Sequence, residues 1–260
     1  MNTATEHDAV MAAVSHVAGE CLAEPDARTS PKRSPVRCSS CAMRSLCMPT
    51  DLTPLEFGQL DSIIGTTRTV QRGESLFRAN DFFQSLYAVR VGSFKTTVMH
   101  RDGGEQVTGL HLPGDPLGLD GVCNGHHACD AIALEDSTVC VIPFALLDAM
   151  CREVKPMQHH LYRMMSSAIV RESSLVMLLG TMSADQRVAS FLLNLSERLA
   201  ARGYSRLEFT LRMTREEMGS YLGMKLETVS RMFSKFQKGG LLETHGKKIR
   251  LLDVDGLARV

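Results

Sequence analysis

Net charge is the first thing the 260-residue sequence lacks: 29 Lys and Arg balance 29 Asp and Glu, so overall electrostatics select no partner. Long apolar runs are missing too. The stretch LVMLLG at 175–180 is among the longest, far short of the ~20 apolar residues a helical membrane span needs. No membrane partner is therefore expected. The opening residues MNTATEHDAV carry charges and have no apolar h-region. A secretory signal is not expected, and a cytoplasmic location is. In a reducing cytosol disulfides are rare, so the eight cysteines point to metal or redox chemistry rather than to a disulfide framework.

What is present suggests two domains, since 44% apolar residues over this length can fill a core in each. Charge is also unevenly spread. Residues 225–250 hold seven Lys or Arg against two Glu, and a basic C-terminal face on a neutral chain marks a candidate nucleic-acid binder. The small, polar, Pro-containing stretch 1–35 reads as a flexible tail. A cysteine-rich segment occupies 36–50. From 51 to 155 short strand-like runs alternate with turns, including Asp102-Gly103, and predict an antiparallel β-roll or barrel. The period then changes from 2 to 3.6. FALLDAMCREV reads as a short helix ended by Pro156, and a long helix follows within 156–182. Ser183 and Gln186 form a capping box that opens an α-rich domain over 183–260, closed by a hairpin turning at Gly246.

Cys38, Cys41 and Cys47 stand at x2 and x5 spacing. Zinc is usually held by paired knuckles, and a second matching pair is missing. Iron–sulfur clusters accept a run of closely spaced cysteines plus one distant ligand. Cys140 lies in a strand where Val139 and Val141 share one face. Its thiol then points to the other face, either as a buried small hydrophobe or toward the 36–50 segment. Cys123, His126, His127 and Cys129 also resemble a ligand set on paper, but a loop surface is the plainer reading. Cys21 and Cys151 have no partner at ligand spacing.

A second capping box, Thr214 with Glu217, opens a pattern that meets the demands of a helix-turn-helix. Gly219 is small where two helices cross, Gly223 supplies a positive φ four residues later, and Val229 packs the second helix on the first. Met218, Leu222, Met224 and Met232 fill the other core slots. In the second helix, Glu227, Ser230 and Arg231 fall on one face and suit base-edge readout: Arg to guanine, Glu to cytosine, Ser to either. Lys225, Lys235, Lys238, Lys247 and Lys248 read as phosphate contacts, or as a solvated face.

The sequence TREEMGSYLGMKLETVSRMFSKFQKGGL, with FRANDFFQSLYAVRVGSFKT, VTGLHLPGDPLGLDG and ALEDSTVCVIPF upstream, resembles the fumarate and nitrate reduction regulator (FNR) branch of the cyclic AMP receptor protein (CRP) superfamily. The resemblance covers about 36–255. It implies an α+β chain with a β-roll sensor domain, a long dimerisation helix and a C-terminal winged helix-turn-helix. It implies half-sites related to TTGAT and ATCAA, read in double-stranded DNA by Glu227, Ser230 and Arg231. It also implies a [4Fe-4S] cluster on Cys38, Cys41, Cys47 and Cys140, and contact with RNA polymerase through surface loops. The stretch GDPLGLDGVCNGHHACDAIAL lacks the Gly-Glu pair and the arginine by which superfamily members hold a cyclic nucleotide. A buried phosphodiester needs a cation, so no cyclic nucleotide is expected. Leu46 and Ala42, next to ligand cysteines, are expected to shield the cluster and tune its oxygen reactivity.

The long helix carries two apolar stripes. Leu161, Met164, Ala168, Leu175 and Leu178 suit packing on its own domain. Met165, Ile169, Glu172, Val176 and Leu179 advance by 4, 3, 4 and 3, as in a coiled-coil seam. Glu172 breaks that seam with a charge. It is either part of a solvated face or a like-charge pair that makes a homodimer marginal, so that cluster binding decides dimerisation. The expectation is a non-enzymatic, oxygen-responsive transcription regulator, an activator or repressor of anaerobic-metabolism genes. The alternatives are an iron–sulfur redox protein or enzyme, and a DNA-binding regulator with zinc or thiol oxidation as input.

Overall fold

The computed structural model describes residues 37–99 and 102–260; the expected tail at 1–35, with Cys21, lies outside them. Among the described residues no helix is long and apolar enough to cross a membrane. The N-terminal half is a roll of two four-stranded antiparallel sheets. One has the order β1 (Thr66–Val70), β8 (Ser137–Pro143), β3 (Ser85–Val91), β6 (Pro116–Leu117). The other has the order β2 (Ser75–Phe77), β7 (Asp130–Ala133), β4 (Phe94–Met99), β5 (Glu105–His111). Alternation decides what each strand buries. In β8, Val139 joins Phe77, Val89, Phe94 and Leu117 inside the roll. Cys140 and Ile142 point outward into a separate cluster with Leu86 and Ala88 of β3.

That outer cluster is covered by three helical pieces. One turn of 3-10 helix (Cys38–Ser40) leads into α1 (Arg44–Cys47), and α2 (Pro54–Ile63) follows behind a Thr53–Glu56 capping box. After the roll come α3 (Phe144–Glu153) and the 27-residue α4 (Lys155–Thr181). Pro156 does not end α3, as the sequence suggested. It sits in the first turn of α4, where its missing N–H needs no partner, and the extended Val154 makes the break. Only Met157 and Leu161 of α4 are buried, and beyond them the helix exposes most of its length.

The C-terminal half contains α5 (Ala184–Ala200), β9 (Glu208–Thr210), α6 (Arg215–Leu222), α7 (Leu226–Lys238), β10 (Leu242–His245), β11 (Lys248–Leu251) and α8 (Val254–Ala258). Both expected capping boxes form, Ser183 with Gln186 and Thr214 with Glu217. Gly223 ends α6 at φ +62°, and a Cβ on Gly219 would lie 2.6 Å from the Met224 carbonyl oxygen. The turn thus needs glycine at the first position for conformation and at the second for space. Met218, Leu222 and Val229 are buried as expected, and the terminal hairpin pairs β10 with β11 around Gly246.

The core of the C-terminal half includes Val107, Leu110, Leu112 and Leu134 from the roll, an arrangement that no periodicity in the sequence indicates. The edge strand β5 therefore lies under α6 instead of facing water, which also protects an otherwise open sheet edge.

Candidate metal centre and nucleic-acid interface

The cysteine segment is pinned at both ends. Asp61 of α2 accepts hydrogen bonds from Cys38 N at 2.5 Å, Ser39 N at 3.2 Å and Ser39 Oγ at 2.6 Å. Arg44 stacks over the Phe57 ring at 4.7 Å, and His160 Nε2 of α4 lies 2.8 Å from the Cys47 carbonyl oxygen. Between these anchors, Cys38, Cys41, Cys47 and Cys140 line one apolar pocket with Met43, Met48, Ile64 and Ala88. The structure thus brings together the three cysteines of the segment and the distant one on β8.

Burial pushes the Cys38 thiol up to about 12, with further contributions from Cys140, Asp61 and Cys41. Burial likewise pushes Cys47 to about 12, with contributions from Cys41, Cys140 and Cys38, and burial raises Cys140. Four thiolates at one place repel one another, and a bound cation reverses that logic. As donors, four thiols on an apolar pocket fit an iron–sulfur cluster. The enclosed space is about 20 Å³, near the size of a single water site. Among the described residues, no three His, Cys, Asp or Glu side chains stand close enough together to hold a single metal ion.

Neither expected shielding residue lines this pocket. Ala42 is exposed. Leu46 projects away from the cysteines and packs on Gly114, where a Cβ would come within 2.7 Å of the Leu46 Cβ. Met43 and Cys47, one helical turn apart, face the pocket instead. The second cysteine–histidine set does not converge either. Cys123 and His126 are exposed. His127 is buried and stacked on Phe77 at 3.7 Å, and Cys129 donates to Asp120. The loop-surface reading therefore holds for half of the set, and the other half is core.

Glu227 and Arg231 are exposed on α7, with Ser230 half-buried beside them. Ser230, Arg231, Ser234, Lys235 and Lys238 line an open groove of about 490 Å³. Lys225, Lys238, Lys247 and Lys248 are exposed. Lys235 is already engaged, its Nζ 2.6 Å from Asp185 Oδ2, and that contact holds the Asp185 carboxyl down at about 2. Across the two helices, Arg215 of α6 stacks on Phe233 of α7 at 3.3 Å, and burial lowers the guanidinium to about 10.

The seam residues on α4 divide. Met165 packs against the outer cluster of the roll, and Leu179 packs toward Gly223. Ile169, Glu172 and Val176 are exposed, joined by Val170 and Met177, which the seam pattern omitted. The open apolar face is thus shorter and broader than a strict heptad stripe.

Sequence reasoning also missed the ion pairs that tie the two halves together. Asp115 accepts from Arg198, in the last turn of α5, at 2.6 Å and from Arg202, just beyond the end of that helix, at 2.7 Å. Burial alone would raise the Asp115 carboxyl, but the two guanidiniums and the Leu112 N–H hold it below its ordinary value. Lys95 of β4 pairs with Glu105 at 2.8 Å and with Glu217 of α6 at 3.1 Å. Arg212 pairs with Glu135 at 3.0 Å. The Val107 N–H donates to Ser220 Oγ at 2.8 Å.

Comparison with known proteins gives two family matches, a Crp-like helix-turn-helix domain at residues 186–260 and a cyclic nucleotide-binding domain at 67–154. The chain is 43% identical over 223 residues to the transcriptional regulatory protein btr of Bordetella pertussis, covering 86% of this chain and 92% of that protein. It is 42% identical over 225 residues to the fumarate and nitrate reduction regulatory protein of Escherichia coli K12, covering 86% of this chain and 90% of that one. Among solved structures, FixK2 from Bradyrhizobium japonicum superposes with a TM-score of 0.69 at 29% identity, covering 75% of this chain and 96% of that one.

Proposed function

Because the chain belongs to the FNR branch of the CRP/FNR family of DNA-binding transcription regulators, we propose that it controls transcription in response to oxygen through a [4Fe-4S] cluster on Cys38, Cys41, Cys47 and Cys140. The observation that carries this reading is the single pocket lined by all four thiols, one of them contributed from 93 residues further along the chain. When bound, such a cluster supplies an oxygen-labile group held by charge that the thiolates alone cannot sustain. The protein's own part is to hold four thiolates on one apolar site, to screen them with Met43, Met48 and Ile64, and to anchor the segment on Asp61 and His160.

The same reading assigns DNA contact to α7. Glu227, Ser230 and Arg231 read base edges in inverted repeats related to TTGAT and ATCAA, while Lys225, Lys238, Lys247 and Lys248 contact phosphates. Lys235 joins them after releasing Asp185. Homodimers form along the open face of α4 at Ile169, Glu172 and Val176, the charge of Glu172 keeping the pairing marginal. RNA polymerase is the remaining protein partner, and the missing arginine argues against a cyclic nucleotide in the roll.

Mössbauer and ultraviolet–visible spectra of protein purified without air, with iron, sulfide and zinc analysis, test the assignment. A [4Fe-4S] signature that vanishes in Cys140→Ala supports it. Stoichiometric zinc, or no metal at all in freshly isolated chain, refutes it in favour of a zinc-based or thiol-based input.

A further inference from the structure

The end of the long helix, the start of α5 and the turn of the helix-turn-helix meet at one side chain. Arg187 lies in the first turn of α5. Its Nη2 donates to the Leu179 carbonyl oxygen at 2.6 Å, its Nε to that of Met182 at 3.0 Å, and its Nη1 to that of Leu222 at 3.1 Å. Leu179 belongs to the last turn of α4, and Leu222 is the last residue of α6. Carbonyls at these positions have no partner within their own helices, so one planar fork satisfies the ends of two helices and the linker between α4 and α5.

Packing at the same point is close. The residue after Leu222 is Gly223, at φ +62°, and a Cβ there would lie 3.1 Å from Leu179 Cδ2 and 3.5 Å from Arg187 Nη1. The covalent link from α4 to α5 is only Met182 and Ser183, both extended. Met182 is tied to α4 through its N–H on the Leu178 carbonyl and Ser183 to α5 through its capping box with Gln186, so the linker backbone does not by itself set the angle between the long helix and the DNA-binding half. The contacts across it do.

We propose that Arg187 is a positioning residue for DNA recognition: it fixes the helix-turn-helix to the end of α4, so that pairing of two α4 helices sets the separation and tilt of two α7 helices. The inference rests on the dimeric, DNA-binding reading above and adds the residue through which dimer geometry reaches the base-reading face. Arg187 itself touches no base in this assignment. Its loss is therefore felt in how rigidly the two α7 helices are spaced rather than in whether α7 contacts DNA.

Half-site spacing gives a readout that a general loss of stability does not imitate. Inserting two base pairs between half-sites turns one relative to the other by about 70°. The experiment uses the full-length chain purified without air and an inverted repeat selected by that chain from random duplexes. Affinities are measured for the selected spacing, for the two-base-pair insertion and for random duplex, and dimerisation is followed by sedimentation. Arg187→Gln is expected to dimerise like wild type and to bind random duplex within about twofold of it. Its preference for the selected spacing is expected to fall at least about tenfold, since each half-site is then met independently. Arg187→Lys keeps the charge but reaches one carbonyl at a time, and should fall between the two. It carries the test alone if Arg187→Gln fails to fold. Variants that are dimeric and keep the wild-type spacing preference overturn the inference while leaving the functional reading intact. A wild-type chain indifferent to spacing overturns both.

Discussion

Cys140 owes its place to alternation. Val139 faces the interior of the roll and its neighbour must therefore face out, toward a segment that supplies three more thiols. That orientation was legible in the residues, whereas the choice between an inert buried thiol and a fourth ligand came only with the resemblance to a family. Leu46 shows the opposite case. Its position beside Cys47 suggested a shield, but one helical turn rotates it onto Gly114, and nothing local in the sequence announces that α1 forms a turn at all. For Glu227, Ser230 and Arg231, the proposed base readers, spacing on α7 sufficed to place them on one face, because i, i+3 and i+4 positions share a face whatever the surroundings. Arg231 is exposed at the edge of the α7 groove. Arg231→Ala is expected to cost about 1–3 kcal/mol of operator affinity and to relax selection at one base pair per half-site. Binding titrations against operators substituted at each position measure both; unchanged discrimination at every position contradicts the assigned role.

Among the elements, the helices with strong signals appeared where expected: both capping boxes closed, and the helix-turn-helix filled every constrained slot. Contacts between distant elements were not legible. Asp115 and Arg198 are 83 residues apart, and no period or motif links a turn in the roll to the last turn of α5. The pairing of β5 with α6 was hidden for the same reason. Val107 and Leu110 are buried three residues apart, across a register shift in β5, and they fill the core of the other half. On α4, a 4, 3, 4, 3 rhythm picked out Ile169, Glu172 and Val176, which are exposed, together with Met165 and Leu179, which pack within their own chain.

Asp115 makes the element-scale contact testable by pH. Its folded-state carboxyl is held below the ordinary value, so the stabilisation is present above the unfolded value of about 3.9 and is lost as pH falls through the folded one. Asp115→Asn, which leaves two largely buried guanidiniums without their counter-charge, is expected to cost about 2–4 kcal/mol at neutral pH. The gap from wild type should narrow as pH drops below about 4. Urea unfolding across that range follows it, and a gap that stays constant or widens toward acid is the opposing result.

At the scale of the whole molecule, the roll and the DNA-binding half are joined, among the described residues, by a shared core and four ion pairs, while the apolar face of α4 at Ile169, Val170, Val176 and Met177 is left open. A change at the cysteine pocket therefore has two neighbours to act on. Through Cys47 and His160 the segment touches α4; through Leu46 and Gly114 it rests on the turn whose Asp115 grips α5. Two halves joined by these contacts, with an open apolar face on α4, suit control by association of copies, and the role proposed for Arg187 is to carry the geometry of that association to α7. The most direct test of this central claim is one titration: protein purified without air is bound to an inverted-repeat duplex, air is admitted, and cluster absorbance, sedimentation and DNA binding are followed together. Dimer and DNA binding are expected to disappear in step with the absorbance. Binding that survives complete loss of the cluster would contradict it.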